Sequence, residues 1–160
     1  MMEQHELTKL FGKLGARNPE GWARSQIEES INQLGRFLFL RQAWRLVLSP
    51  DDTNWIDQCK KIDKGPGGEI GPALNRLLAL GVNARDLTAV ARVMQWQLLF
   101  GICYLLDDPG DIEDEVKDVA WGLFQVDEDG RPIAPIGSVH ESVLETEPTG
   151  REMRPPGEAL

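Results

Sequence analysis

From Ala84 to Leu106 the chain carries two apolar stripes at helical spacing, and this segment constrains the fold most. Leu87, Val90, Ala91, Met94, Leu98, Ile102 and Leu105 share one helical face. Val93, Trp96, Phe100 and Tyr104 share a second. A helix apolar on two faces belongs in the middle of a bundle. Its longest uncharged run, Val93 to Leu106, is fourteen residues. That is shorter than the roughly 20 needed to cross a bilayer. With 160 residues, the chain is about one domain long. The expected fold is therefore mainly α: a single-domain bundle of five to six helices around a central buried helix at about 84–106. A small β-hairpin near 121–136 and an irregular C-terminal arm complete it.

Turn and capping residues mark the other elements. Leu7, Leu10, Phe11 and Leu14 predict a short helix over Glu3–Leu14, ended by Gly15. Asn18-Pro19-Glu20 reads as an N-cap, a proline at the first helical position and a first-turn acid. Apolar periodicity then runs to Leu48. One straight helix of that length would reach about 45 Å, at 1.5 Å per residue. A compact domain of this size is only about 40 Å across. A kink or break is therefore expected near Gly35. Short helices are predicted over Thr53–Lys61 and Ile70–Leu80, separated by the flexible Lys64–Gly68 loop. Asp111 can cap a further helix from Ile112 to about Ala120. Beyond Trp121 the period changes, and Asp127-Glu128-Asp129-Gly130 reads as a hairpin turn. Residues 1–145 are read as one helical domain. Residues 146–160, broken by Pro148, Gly150, Pro155, Pro156 and Gly157, are read as an extended or partly disordered tail.

The net charge of −9 is unevenly placed. Residues 107–160 hold four basic and fifteen acidic residues, a net of −11, while the remainder is close to neutral. Such acidity disfavours nucleic acid, whose binding relies on Lys and Arg displacing counterions. Anionic membrane surfaces are disfavoured on the same grounds. A basic protein partner is the natural complement. The opening Met-Met-Glu-Gln-His-Glu has no apolar signal-peptide core, so a soluble, cytoplasmic protein is expected.

Chemical motifs are sparse. His5 and His140 lie far apart, and neither they nor Cys59 and Cys103 have metal-ligand spacing. His140-Glu141 opens like a zinc-protease helix, but Leu144 stands where the second histidine is needed. Ser138 and Ser142 flank His140 without forming a recognisable triad. No phosphate cradle matches. No catalytic residue, cofactor or metal is assigned, and whether the protein is an enzyme is left open, leaning against it.

Two residue groups carry the functional expectation. Asp107, Asp108, Asp111, Glu115 and Asp118, with Trp121 beside them, form a candidate partner-binding surface. Asp111, Glu115 and Asp118 would share one helical face. An exposed tryptophan next to carboxylates suits a binding hot spot. The other group is Arg36, Arg41, Trp44 and Arg45 in a strongly apolar segment. Buried guanidinium needs an anionic partner, so these arginines are expected either to pair with acids of 107–118 or the tail, or to line an anion pocket. The resulting expectation is a non-enzymatic interaction or regulatory protein, comparable in its general properties to immunity or adaptor proteins. A helical module binding a small anion through Arg41 and Arg45 is the alternative, alongside an enzyme without a recognisable motif.

Overall fold

The computed structural model describes residues 2–108, 110 and 112–157. Among these the chain is mainly helical, with six α-helices and one two-stranded antiparallel hairpin. It divides into two compact units: residues 1–45 with 98–160, and residues 46–97.

The first unit begins with α1 (Gln4–Leu14), α2 (Pro19–Glu28) and α3 (Gln33–Ala43). Reciprocal Glu3 and Glu6 bonds form a capping box at the start of α1, and Gly15 ends it in the left-handed region. Asn18 caps α2 through a bond from the Gly21 N–H, with Pro19 at the first helical position. The break expected near Gly35 lies slightly earlier. Ser30 turns to φ 56°, and Asn32 restarts the helix by accepting the Gly35 N–H at 3.0 Å. The asparagine decides the position, because a cap satisfies an orphan donor that glycine alone cannot.

Leu7, Phe11, Trp22, Ala23 and Phe37 form one buried cluster of this unit, where α1 packs on α2 and α2 on α3. Phe37 meets Phe11 edge-on at 5.6 Å and Trp22 at 5.4 Å. Such aromatic contacts add roughly 0.5–1.5 kcal/mol each beyond the area they bury. The hairpin pairs β1 (Leu123–Val126) with β2 (Pro132–Ile136), and a register shift falls between Gln125 and Val126. Helix α3 packs on β2 and on a 3-10 turn, Val139–Ser142.

The second unit holds α4 (Asn54–Cys59) and α5 (Ile70–Ala79), which pack together. Thr88 is its buried polar hub: the hydroxyl accepts the Trp55 indole N–H at 2.9 Å and faces the carbonyls of Asp52 and Ala84. Arg92 donates to the Leu48 carbonyl, and Gln95 accepts the Leu48 N–H.

Helix α6 (Ala84–Asp107) runs through both units, its residues from Leu98 onward belonging to the first. Its extent agrees with the two-stripe pattern, but the expected burial does not. Only 11% of its most apolar 18-residue window is buried, and Met94, Leu98 and Ile102 stand exposed. By length and composition this helix could also cross a membrane, which the fourteen-residue count did not suggest. Periodicity dictates which faces are apolar, and burial depends on whether other elements reach them.

The helix expected over Ile112–Ala120 is replaced by one 3-10 turn, Asp114–Val116. Residues 113–120 are all exposed, so no buried face offsets the cost of helix nucleation. Glu115 and Asp118 therefore share no helical face, and Asp111 lies outside the described residues.

Candidate functional site

Within the first unit, the last turn of α6 meets the 3-10 turn that follows β2. Val139 and Val143 are fully buried and hold that turn in place, and His140 between them reaches Asp107. The Asp107 Oδ2 accepts the His140 backbone N–H at 3.1 Å and lies 2.6 Å from the ring Nδ1. The side chains are 10% exposed for Asp107 and 27% for His140. Asp107 is the final residue of α6, where the helix dipole opposes a negative charge. Two donors on one oxygen offset that opposition. The other oxygen, Oδ1, is buried and has no hydrogen-bond partner among the described residues.

The imidazole thus turns Nδ1 to Asp107. Tyr104 meets the imidazole at 5.1 Å and Phe100 at 6.2 Å, both near edge-on. Beside the pair opens a cleft of about 450 Å³, lined among others by Asp108, Trp121, Phe124 and Ser138. Ser138 itself adopts φ 51°, in the left-handed region. Trp121 is 45% exposed, yet its indole N–H is fixed on the Leu105 carbonyl at 2.7 Å. That bond satisfies one of the open carbonyls at the helix end. Asp108 accepts the Gly110 N–H through Oδ1.

The predicted partner-binding residues thus divide. Asp108, Glu115, Asp118 and Trp121 are exposed, whereas Asp107 is turned inward onto His140. No signal in the sequence links Asp107 with His140, because helical and strand spacing rules reach only a few residues and these lie 33 apart. Among the described residues no group of three or more His, Cys, Asp or Glu converges as metal ligands would.

The arginine cluster is not gathered into one site. Arg36 is buried and its Nη1 lies 3.4 Å from the Ser142 hydroxyl, with Nε lacking a partner. Burial pushes its guanidinium below the usual arginine range, while the charges of Glu141, Asp107, Glu29 and Glu145 act in the opposite direction. Those acids act at a distance, since no ion pair of Arg36 closes within 4 Å among the described residues. Arg41 and Trp44 line a separate cavity of about 230 Å³, which Glu145 and Glu147 also line. Arg45 is exposed and donates to Gln42 instead. Trp44 is buried, its indole N–H donated to the Val143 carbonyl at 2.9 Å.

Arg17, which sequence reasoning passed over, holds the C-terminal arm. It donates to the carbonyls of Gly150, Leu144 and Glu145 and lies 3.7 Å from the Glu152 carboxylate. Glu145 is pushed above the usual carboxylate range by burial, against the pull of Arg17 and a hydrogen bond with Trp22. Glu147 is buried and accepts from Thr149 and the Arg151 N–H.

Compared with known protein families, curated proteins and solved structures, the chain matches none.

Proposed function

We propose that this is a non-enzymatic binding protein whose acidic surface around Asp108, Glu115 and Asp118 docks a basic protein partner. The observation that carries this reading is Trp121, half-exposed yet pinned through its indole N–H, at a cleft it lines together with Asp108. An aromatic side chain already held in place loses little conformational freedom on binding, which favours it as an anchor. Val116 and Val119 stand exposed in the same acidic stretch and add apolar contact area. The carboxylates supply steering and specificity more than raw affinity.

The test is capture of proteins from source-cell lysate by the wild-type chain and by a variant carrying D108N, E115Q and D118N, at low and high salt. A basic protein retained at low salt, shed at high salt and lost by the variant supports the reading. Equal capture by both chains overturns it.

A further inference from the structure

Among the described residues, the cleft at the end of α6 combines Asp107, Asp108, His140 and three aromatic rings with apolar residues, and no lysine or arginine lines it. Two carboxylate oxygens have no bond among the described residues. Asp107 commits Oδ2 to His140 and leaves Oδ1 without a partner, buried in a side chain nine-tenths buried. Asp108 commits Oδ1 to Gly110 and has a second oxygen left. The His140 ring lies against Asp107 through Nδ1. Tyr104, Trp121 and Phe124 are each about half exposed at the same cleft.

A ligand that fits must bring several donors, positive charge and a flat face to lie on an aromatic ring. We propose that this cleft receives the guanidinium group of an arginine side chain on the basic partner, a proposal that rests on the docking reading above. Guanidinium offers five N–H donors in a planar fork and stacks on aromatic faces, whereas the compact, strongly hydrated lysine ammonium does neither. Its attraction to tryptophan and tyrosine rings adds to the charge pairing. Arg36 acts on Asp107 only from beyond ion-pair distance, so the carboxylate is not already paired with a guanidinium.

The experiment titrates the full chain with N-acetyl-arginine methylamide, and separately with the matching lysine and citrulline compounds, following the indole N–H resonance of Trp121 by NMR. Citrulline keeps the shape of the side chain and removes its charge. The arginine compound is expected to move the Trp121 resonance saturably and to bind about tenfold more tightly than either control. Asp108→Asn and Phe124→Leu should each weaken it several-fold, with the circular dichroism spectrum unchanged. Citrulline binding as well as arginine, lysine binding as well as arginine, or an unmoved Trp121 resonance each overturns the assignment.

The two readings fail separately. If the arginine compound leaves the cleft untouched while salt-sensitive capture still depends on Asp108, Glu115 and Asp118, the cleft assignment falls and the docking surface stands. If arginine occupies the cleft while capture ignores those three carboxylates, the docking surface falls instead.

Discussion

Asp107 and His140 are joined twice at one oxygen: Oδ2 of the aspartate receives both the backbone N–H and the ring Nδ1 of the histidine. These two hydrogen bonds tie the end of α6 to the 3-10 turn after the hairpin. Hydrogen bonds to a charged acceptor contribute about 1.5–3 kcal/mol each. Asp107→Ala should therefore lower stability by about 2–4 kcal/mol. Asp107→Asn, which retains an acceptor oxygen, should cost less. Urea unfolding of the two variants checks the order, and equal stabilities would show that the pairing is not structural.

Cys103 is fully buried, and burial first, then the negative charge of Asp107, pushes its thiol up to about 11. Cys59 is partly exposed. A thiolate-selective reagent at pH 8 should modify one thiol per native chain quickly and the second only after denaturation. The same shift has a consequence for stability. Above the ordinary thiol value of 9.0 the unfolded chain has lost a proton that the folded chain keeps, so stability should fall as pH rises from there towards about 11. Cys103→Ala should remove that part of the alkaline decline.

Gly71 stands at the start of α5, where an added Cβ would lie 3.0 Å from the Ile62 carbonyl oxygen and 3.1 Å from that of Lys60. These are backbone atoms and cannot swing aside. Gly71→Ala should destabilise by about 1–3 kcal/mol through overpacking. Gly101, inside α6, has nothing within 4 Å of the same position. Gly101→Ala should stabilise by about 0.5–1 kcal/mol, because a helix-interior alanine loses less backbone entropy. Thermal melts of the two variants should shift in opposite directions.

Arg17→Ala should release the C-terminal arm by removing donors to three carbonyls. Amide hydrogen exchange over residues 144–154 is expected to accelerate at least tenfold. Arg17→Lys should rescue it only in part, since one ammonium cannot match the guanidinium fork. Unchanged exchange in Arg17→Ala would mean that the arm is held by Glu147 and its own turns.

Local elements were legible because their causes are local. Asn18-Pro19, the Leu7–Phe11 spacing, Gly15 and the Asp127–Gly130 turn each act within a few residues, and each stands close to its expected place. Where a segment had polar caps but no apolar face, as over Ile112–Ala120, capping signals alone overstated the helix. Asp108, Glu115, Asp118 and Trp121 each stand exposed. The pairing of Asp107 with His140 was not legible.

By itself, then, the sequence determined where most of the helices lie, the concentration of acidity in the last third and which faces of α6 are apolar. Capping, charge and periodicity are properties of neighbouring residues. Tertiary structure alone decided that those α6 faces stay largely exposed, that Arg17 rather than Arg36 or Arg45 holds the arm, and that Asp107 turns from solvent to His140. Each outcome depends on which distant segments come within a few ångströms of one another, and that proximity follows from the packing of the whole unit.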